Sequence, residues 1–316
     1  MGIMSPYSSV LNRRLSLVDM NSRAQIRLLP DGRRLHLHDG PIDLIAEAFG
    51  TPCAVETAYR AAAARFVTVL DELCSELAFL RQPCAPEAPW PRGSVARRMV
   101  AAVMPYASHH FITPMAAVAG AVAEEILEEM ILAANLSRAY VNDGGDIALH
   151  LTPDEKFVIG MVERPDRPSL FGTTTLKWDD PVRGIATSGW RGRSFSLGIA
   201  DAVTVLADCA AAADAAATII ANAVDLPGHP AIVRVPARDL APDSDLGYQR
   251  VTQAVGNLTV QEVGQALAAG ARTAEVLVRM GLIRAAALCL REEVRVVGGI
   301  AERTLHRTRG GSLVHA

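Results

Sequence analysis

Cysteine is scarce: the five present, Cys53, Cys74, Cys84, Cys209 and Cys289, are scattered and form no CxxC pair. That pattern excludes a disulfide framework and a zinc site, and reads as reduced thiols. Aromatic residues make up only 5% of the chain. Basic charge is not in excess, with 31 Lys and Arg against 34 Asp and Glu and a formal net charge of −3, which excludes a dedicated nucleic-acid binder. The first twenty residues carry Arg13 and Arg14 but no apolar stretch of signal-peptide length. The Ala-rich segments farther on are broken by Asp, Glu or Arg well short of a membrane span. The expectation is a cytoplasmic protein with neither nucleic acid nor membrane as partner, assembled by default as a homodimer.

Half of the 316 residues are hydrophobic, enough for a sizeable core. Residues 1–20 and 301–316 read as tails flanking one domain over 21–300. Strands are expected over 23–29 and 33–38, joined by the turn Pro30-Asp31-Gly32. Phe66, Leu70, Leu73 and Leu77 recur at helical spacing between Val55 and Leu80. A Pro-rich loop, 82–91, follows, and Ser94 is placed to cap a short helix. Thr113-Pro114 opens a longer helix to about Ala134, whose Glu124, Glu125, Glu128 and Glu129 read as a solvated face. Strands are predicted at 138–141, 147–151, 157–162, 184–187 and 202–207, then a helix over 209–224. A capping box, Thr259 with Glu262, starts a helix that Gly281 ends, and a strand is expected at 293–297. With no regular βαβ alternation, the class is α+β with mixed sheets covered by helices.

Three stretches carry candidate chemistry. In Asn142-Asp143-Gly144-Gly145-Asp146, bare backbone at Gly144 and Gly145 admits a ligand, with Asn142 and Asp146 to hold its polar atoms; a plain hairpin turn is the alternative. Gly184-Ile185-Ala186-Thr187-Ser188-Gly189-Trp190-Arg191-Gly192-Arg193 alternates hydroxyls, glycines and arginines, which suits phosphate; a solvated loop is the alternative. In the apolar helix from Ala210 to Asn222, Asp214, Thr218 and Asn222 share one face. A carboxylate buried there requires compensation, either by magnesium, which takes oxygen ligands, or by capping another element or pairing with Arg183, Arg191 or Arg193.

In order and spacing these motifs resemble the ApbE-like proteins. Asn142 to Asp146 resembles their NxGGD turn and Thr187-Ser188-Gly189 their TSG motif. Val203-Thr204-Val205, then Ala213-Asp214-Ala215 and Thr218, is similar to VTV…ADA…T. Pro114-Met115-Ala116-Ala117-Val118-Ala119-Gly120 and Gly198-Ile199-Ala200-Asp201-Ala202-Val203 resemble a shorter cytoplasmic branch of that superfamily. The resemblance implies a two-lobed α+β fold that binds FAD between its lobes. Asn142, Gly144, Gly145, Asp146, Thr187, Ser188 and Gly189 would contact the flavin nucleotide, with magnesium on Asp214 and Thr218. It also implies transfer of FMN to a protein hydroxyl with release of AMP; FAD hydrolysis to FMN and AMP, or a non-catalytic flavin or pterin binder, is the alternative. The transferases carry a histidine between TSG and VTV, whereas this chain has none from Trp190 to Ala202. Asp201 stands in as the catalytic group, beside Arg193 where the branch often has histidine, and flavin transfer is expected to be slow. His109 and His110 are the remaining candidates for a base.

Overall fold

The computed structural model describes residues 23–162 and 170–299. Both expected tails lie outside the described residues, as do the terminal residues 21, 22 and 300 of the expected domain. The chain divides into two compact units. The first takes in the described residues up to 155 together with 181–186 and 207–215; the second takes in the rest.

The first unit begins with a meander of β1 (Gln25–Leu28), β2 (Leu35–Asp39) and β3 (Ile42–Phe49). It continues through β4 (Arg138–Asp143), β5 (Asp146–Leu151) and the first three residues of β8 (Gly184–Ser188), in hydrogen-bonded order β1-β2-β3-β4-β5-β8. Asp31 Oδ1 accepts the N–H groups of Arg33 at 2.9 Å and Arg34 at 3.0 Å, so the expected turn forms. In β3, Leu44, Ala46 and Ala48 are buried at a period of two, and the burial of Glu47 between them breaks the alternation. The strand exists because β2 and β4 pair with it on both sides.

Helix α1 (Pro52–Ser75) is capped by Thr51, whose hydroxyl accepts from Ala54 N at 3.3 Å. Its buried stripe, Ala58, Tyr59, Ala62, Phe66 and Val69, packs on β2, β3 and α4 (Val118–Ala133). A short helix α2 (Leu77–Leu80) continues from it. Helix α3 (Ser94–Val103) starts at Ser94, which corrects the expected cap: Glu76 accepts from the N–H groups of Arg92 at 2.7 Å and Gly93 at 2.9 Å. A single 3₁₀ turn, Pro114–Ala117, leads into α4.

The second unit contains β9 (Ala202–Ala207), which pairs with β12 (Ala285–Leu290), and β12 pairs with β13 (Glu293–Val297), all antiparallel. All side chains of β9 and β12 are buried, which is why their apolar runs do not alternate. Two hairpins, β6 (Lys156–Val162) with β7 (Leu170–Lys177) and β10 (Ile232–Pro236) with β11 (Arg250–Val255), accompany them. Helix α5 (Ala210–Ala223) begins in the first unit; the four-residue α6 (Ala237–Leu240) follows β10. The last helix, α7 (Val260–Arg279), has the expected capping box: Glu262 N donates to Thr259 Oγ1 at 3.3 Å, and Thr259 N to Glu262 Oε2 at 2.7 Å. Its apolar face, from Val263 to Leu277, covers β12 and β13.

Candidate functional site

Helix α5 is buried on nearly every side, with Ala213, Ala215, Ala216 and Ala217 at 0% exposure. The face that carries Asp214, Thr218 and Asn222 is the less buried one, as the i, i+4, i+8 spacing requires. Asp214 Oδ2 accepts the backbone N–H of Gly120 at 3.1 Å, and Ala119 N–H also reaches it. Those are donors in the first turn of α4, whose own N-cap position, Ala117, has no side chain to cap with. Of the alternatives weighed for a carboxylate on this helix, Asp214 therefore takes the capping role; no arginine pairs with it among the described residues.

The reverse relation also holds. Glu124 of α4 accepts the N–H of Ala211, in the first turn of α5, at 2.6 Å. Gly120 lets the two helix starts meet: a Cβ there would lie 2.4 Å from the Ala210 carbonyl oxygen. Glu125, expected on a solvated face, is instead buried. It pairs with Arg65 at 2.9 Å and Arg98 at 3.1 Å and accepts the hydroxyl of Ser94 at 2.5 Å. The correction follows from charge: a carboxylate leaves water when two guanidinium groups await it.

Burial raises the Asp214 carboxyl well above the usual carboxylate range, and the charges of Asp146 and, less, Asp143 push the same way. Those two aspartates flank the glycine turn. Asp143 pairs with Asp146 across β4 and β5, which leaves Gly144 and Gly145 as a two-residue hairpin loop with φ of +63° and +117°. Positive φ at both loop positions is the mark of a primed turn, which glycine enters without side-chain strain. Asn142 Oδ1 accepts Gly145 N–H at 2.8 Å, and open space adjoins the Gly145 Cα. The hairpin reading of this stretch is thus what forms, with a clear approach to its backbone. Among the described residues, no three His, Cys, Asp or Glu side chains converge as a metal site.

In the second unit, Thr187 Oγ1 and Thr204 Oγ1 are hydrogen-bonded at 2.9 Å, which ties the TSG stretch to β9. Ser188 is half-buried. Gly189 is packed so closely that a Cβ would lie 2.6 Å from the Asp201 carbonyl oxygen. Asp201 is 4% exposed, and its carboxylate collects donors on both oxygens. Oδ1 accepts Trp190 Nε1–H at 3.2 Å and Arg191 Nε–H at 2.5 Å; Oδ2 accepts Arg291 N–H at 2.7 Å. These three bonds leave little of the carboxylate's accepting capacity unused. Arg193, the other expected catalytic residue, is exposed on the same loop, and His109 and His110 are exposed in the first unit.

Sequence reasoning did not find Arg291. Arg291 and Glu292 form the two-residue turn between β12 and β13 at φ of +53° and +68°. Each non-glycine residue held there costs of order 1 kcal/mol. No local signature marks such a turn, since Asn or Gly is the usual occupant. A cavity of ≈ 240 Å³ in the first unit is lined by Phe79, Pro83, Cys84, Val100 and Pro114 and by none of the expected site residues.

The family model described as AbpE bacteria matches residues 26–296. A UPF0280 protein of Methanococcoides burtonii is 39% identical over 147 residues, 46% of this chain and 56% of that one. Another, from Methanocella arvoryzae, is 32% identical over 184 residues, 58% of this chain and 70% of that one. The match to the first spans little more than half of that relative's length. Among solved structures, the apo flavinyl transferase ApbE of Pseudomonas stutzeri is 10% identical with a TM-score of 0.38, covering 90% of this chain and 97% of that one. A flavin transferase ApbE from Vibrio cholerae is 14% identical with a TM-score of 0.33, covering 82% and 79%. With the family model spanning both units, this chain belongs to the AbpE bacteria family.

Proposed function

We propose that this protein binds a flavin nucleotide, FAD, together with magnesium, and that it transfers FMN slowly or not at all. The observation that carries the reading is the half-buried Asp214 carboxyl, desolvated and under the charges of Asp146 and Asp143. A hard cation relieves that repulsion, and the donors at hand, Asp214 and Thr218 one helical turn on, are oxygens of the kind magnesium prefers. Two protein ligands suffice for an ion that keeps waters or substrate phosphates in its other positions. Bound there, magnesium would neutralise charge on the nucleotide's diphosphate. Asn142, Gly144, Gly145 and Asp146 offer a polar turn with open backbone in the first unit; Thr187, Ser188 and Gly189 offer hydroxyls and close-packed backbone in the second.

Slow transfer follows from proton chemistry. The acceptor hydroxyl must lose its proton, and an absent general base costs about 10²–10⁴-fold. No histidine lies between Trp190 and Ala202, the Arg193 guanidinium offers donors and no accepting atom, and both oxygens of Asp201 are engaged. The same observation favours a second reading, a flavin carrier that performs no transfer.

Calorimetric titration with FAD and magnesium tests the binding, and Asp214→Asn is expected to weaken it. Unchanged affinity in that variant would sink the metal assignment. Incubation with FAD, magnesium and an acceptor peptide, followed by mass spectrometry, tests the transfer. Stoichiometric FMN addition within minutes would make the protein an ordinary transferase.

A further inference from the structure

The loop after Thr187-Ser188-Gly189 holds an arginine prepared for an anion. Arg191 is half-buried, its side chain 18% exposed. Its guanidinium lies over the Trp190 ring, 4.5 Å from the centroid, and its Nε–H is bonded to Asp201 at 2.5 Å. Stacking and the Nε bond together fix the plane of the group. The two terminal nitrogens have no partner among the described residues. A planar fork with its outer edge free matches two oxygens of a phosphate, and its ordering entropy is already spent.

The surroundings hold this arrangement in place. Asp201 is itself held by Trp190 Nε1–H and by the N–H of Arg291. Arg291 is anchored in turn, its guanidinium donating to the carbonyls of Val255 at 2.6 Å and Gly256 at 2.8 Å. The Asp201 charge is thereby shared among several donors instead of cancelling Arg191 alone. Arg193, exposed two residues on, adds positive charge to the same loop.

We propose that Arg191 is a phosphate-binding residue, recognising a phosphate or diphosphate group through its terminal nitrogens, with Asp201 and Trp190 as the residues that position it. This rests on the reading of the ligand as a nucleotide and names the side chain in the second unit that recognises its phosphates.

The test is calorimetric titration of the full chain with FAD, riboflavin and inorganic pyrophosphate, for the wild type and Arg191→Lys. Lysine keeps the charge but loses the planar fork, so affinity for FAD and pyrophosphate should fall about tenfold while riboflavin binding stays unchanged. Trp190→Phe keeps a stacking ring without the Nε1 donor and should produce a smaller loss of the same selectivity; it also serves if the lysine variant fails to fold. Wild-type FAD binding that neither variant alters would overturn the role of Arg191 and leave the flavin reading intact. Pyrophosphate binding that depends on Arg191, with no binding of FAD or riboflavin, would support Arg191 and overturn the flavin reading. A wild type that binds none of the three overturns both.

Discussion

Asp214 and Glu124 cap each other's helices: Asp214 of α5 accepts the Gly120 N–H of α4 at 3.1 Å, and Glu124 of α4 accepts the Ala211 N–H of α5 at 2.6 Å. Each carboxylate sits where the partner helix leaves its first N–H groups unbonded and positive. One residue is thus drawn two ways, as a structural cap and as the proposed magnesium ligand. A carboxylate can serve both, since each of its oxygens has lone pairs for more than one partner.

The close approach of these helix starts depends on Gly120. In Gly120→Ala the new methyl meets the Ala210 carbonyl at 2.4 Å, and backbone must move to admit it. Overpacking of that kind costs about 1–3 kcal/mol. Urea denaturation should show a lowered midpoint with an unchanged slope, and a midpoint equal to the wild type's would refute the packing.

Asp214 also gives the protein a pH-dependent stability. Its carboxyl is raised in the folded state by burial and by Asp146, so the folded protein keeps that proton to higher pH than the unfolded chain. The resulting stability is full below the ordinary carboxylate range and is lost as pH rises through the raised value. Thermal melts of metal-free protein across that range should show the decline, and Asp214→Asn should flatten it. Magnesium should raise the melting temperature most at the upper end of the range, where it no longer competes with a proton.

Glu125 is held by two arginines and a serine hydroxyl. Glu125→Gln keeps the shape but leaves Arg65 and Arg98 short of a negative partner in a buried setting. Breaking such a pair costs 3–5 kcal/mol in general, and about 3 kcal/mol is expected here because Glu72 and Glu128 still neutralise the arginines. Equilibrium unfolding measures this directly; a loss under half a kcal/mol would show the pairing to be incidental.

The turn at Arg291 and Glu292 predicts a gain. At Glu292, φ is +68°, so Glu292→Gly removes side-chain strain at the cost of a more flexible unfolded chain. A net stabilisation of about 0.5–1 kcal/mol is expected, visible as a higher melting temperature. Destabilisation would mean that the Glu292 side chain holds the hairpin.

What the sequence determined by itself is whatever a few adjacent residues decide. Asp31 and Gly32 make their turn, Thr259 and Glu262 their capping box, and Gly281, at φ +72°, ends the last helix because its own conformational freedom suffices. The motif order that points to the family is likewise a property of the chain alone. The tertiary structure decided the rest. The strand Ala285–Leu290 is buried at every position and carries no alternating pattern, and in Ile42–Phe49 the buried Glu47 breaks the alternation; pairing on both edges makes each of them a strand. Ser94 lost the expected cap to Glu76, eighteen positions upstream, and Glu125 left the solvent for Arg65 and Arg98. A helix start accepts any carboxylate that folding brings near it, and a guanidinium any acceptor. Bonds of that kind join residues distant in sequence, so their partners are chosen only when the backbone has brought them together.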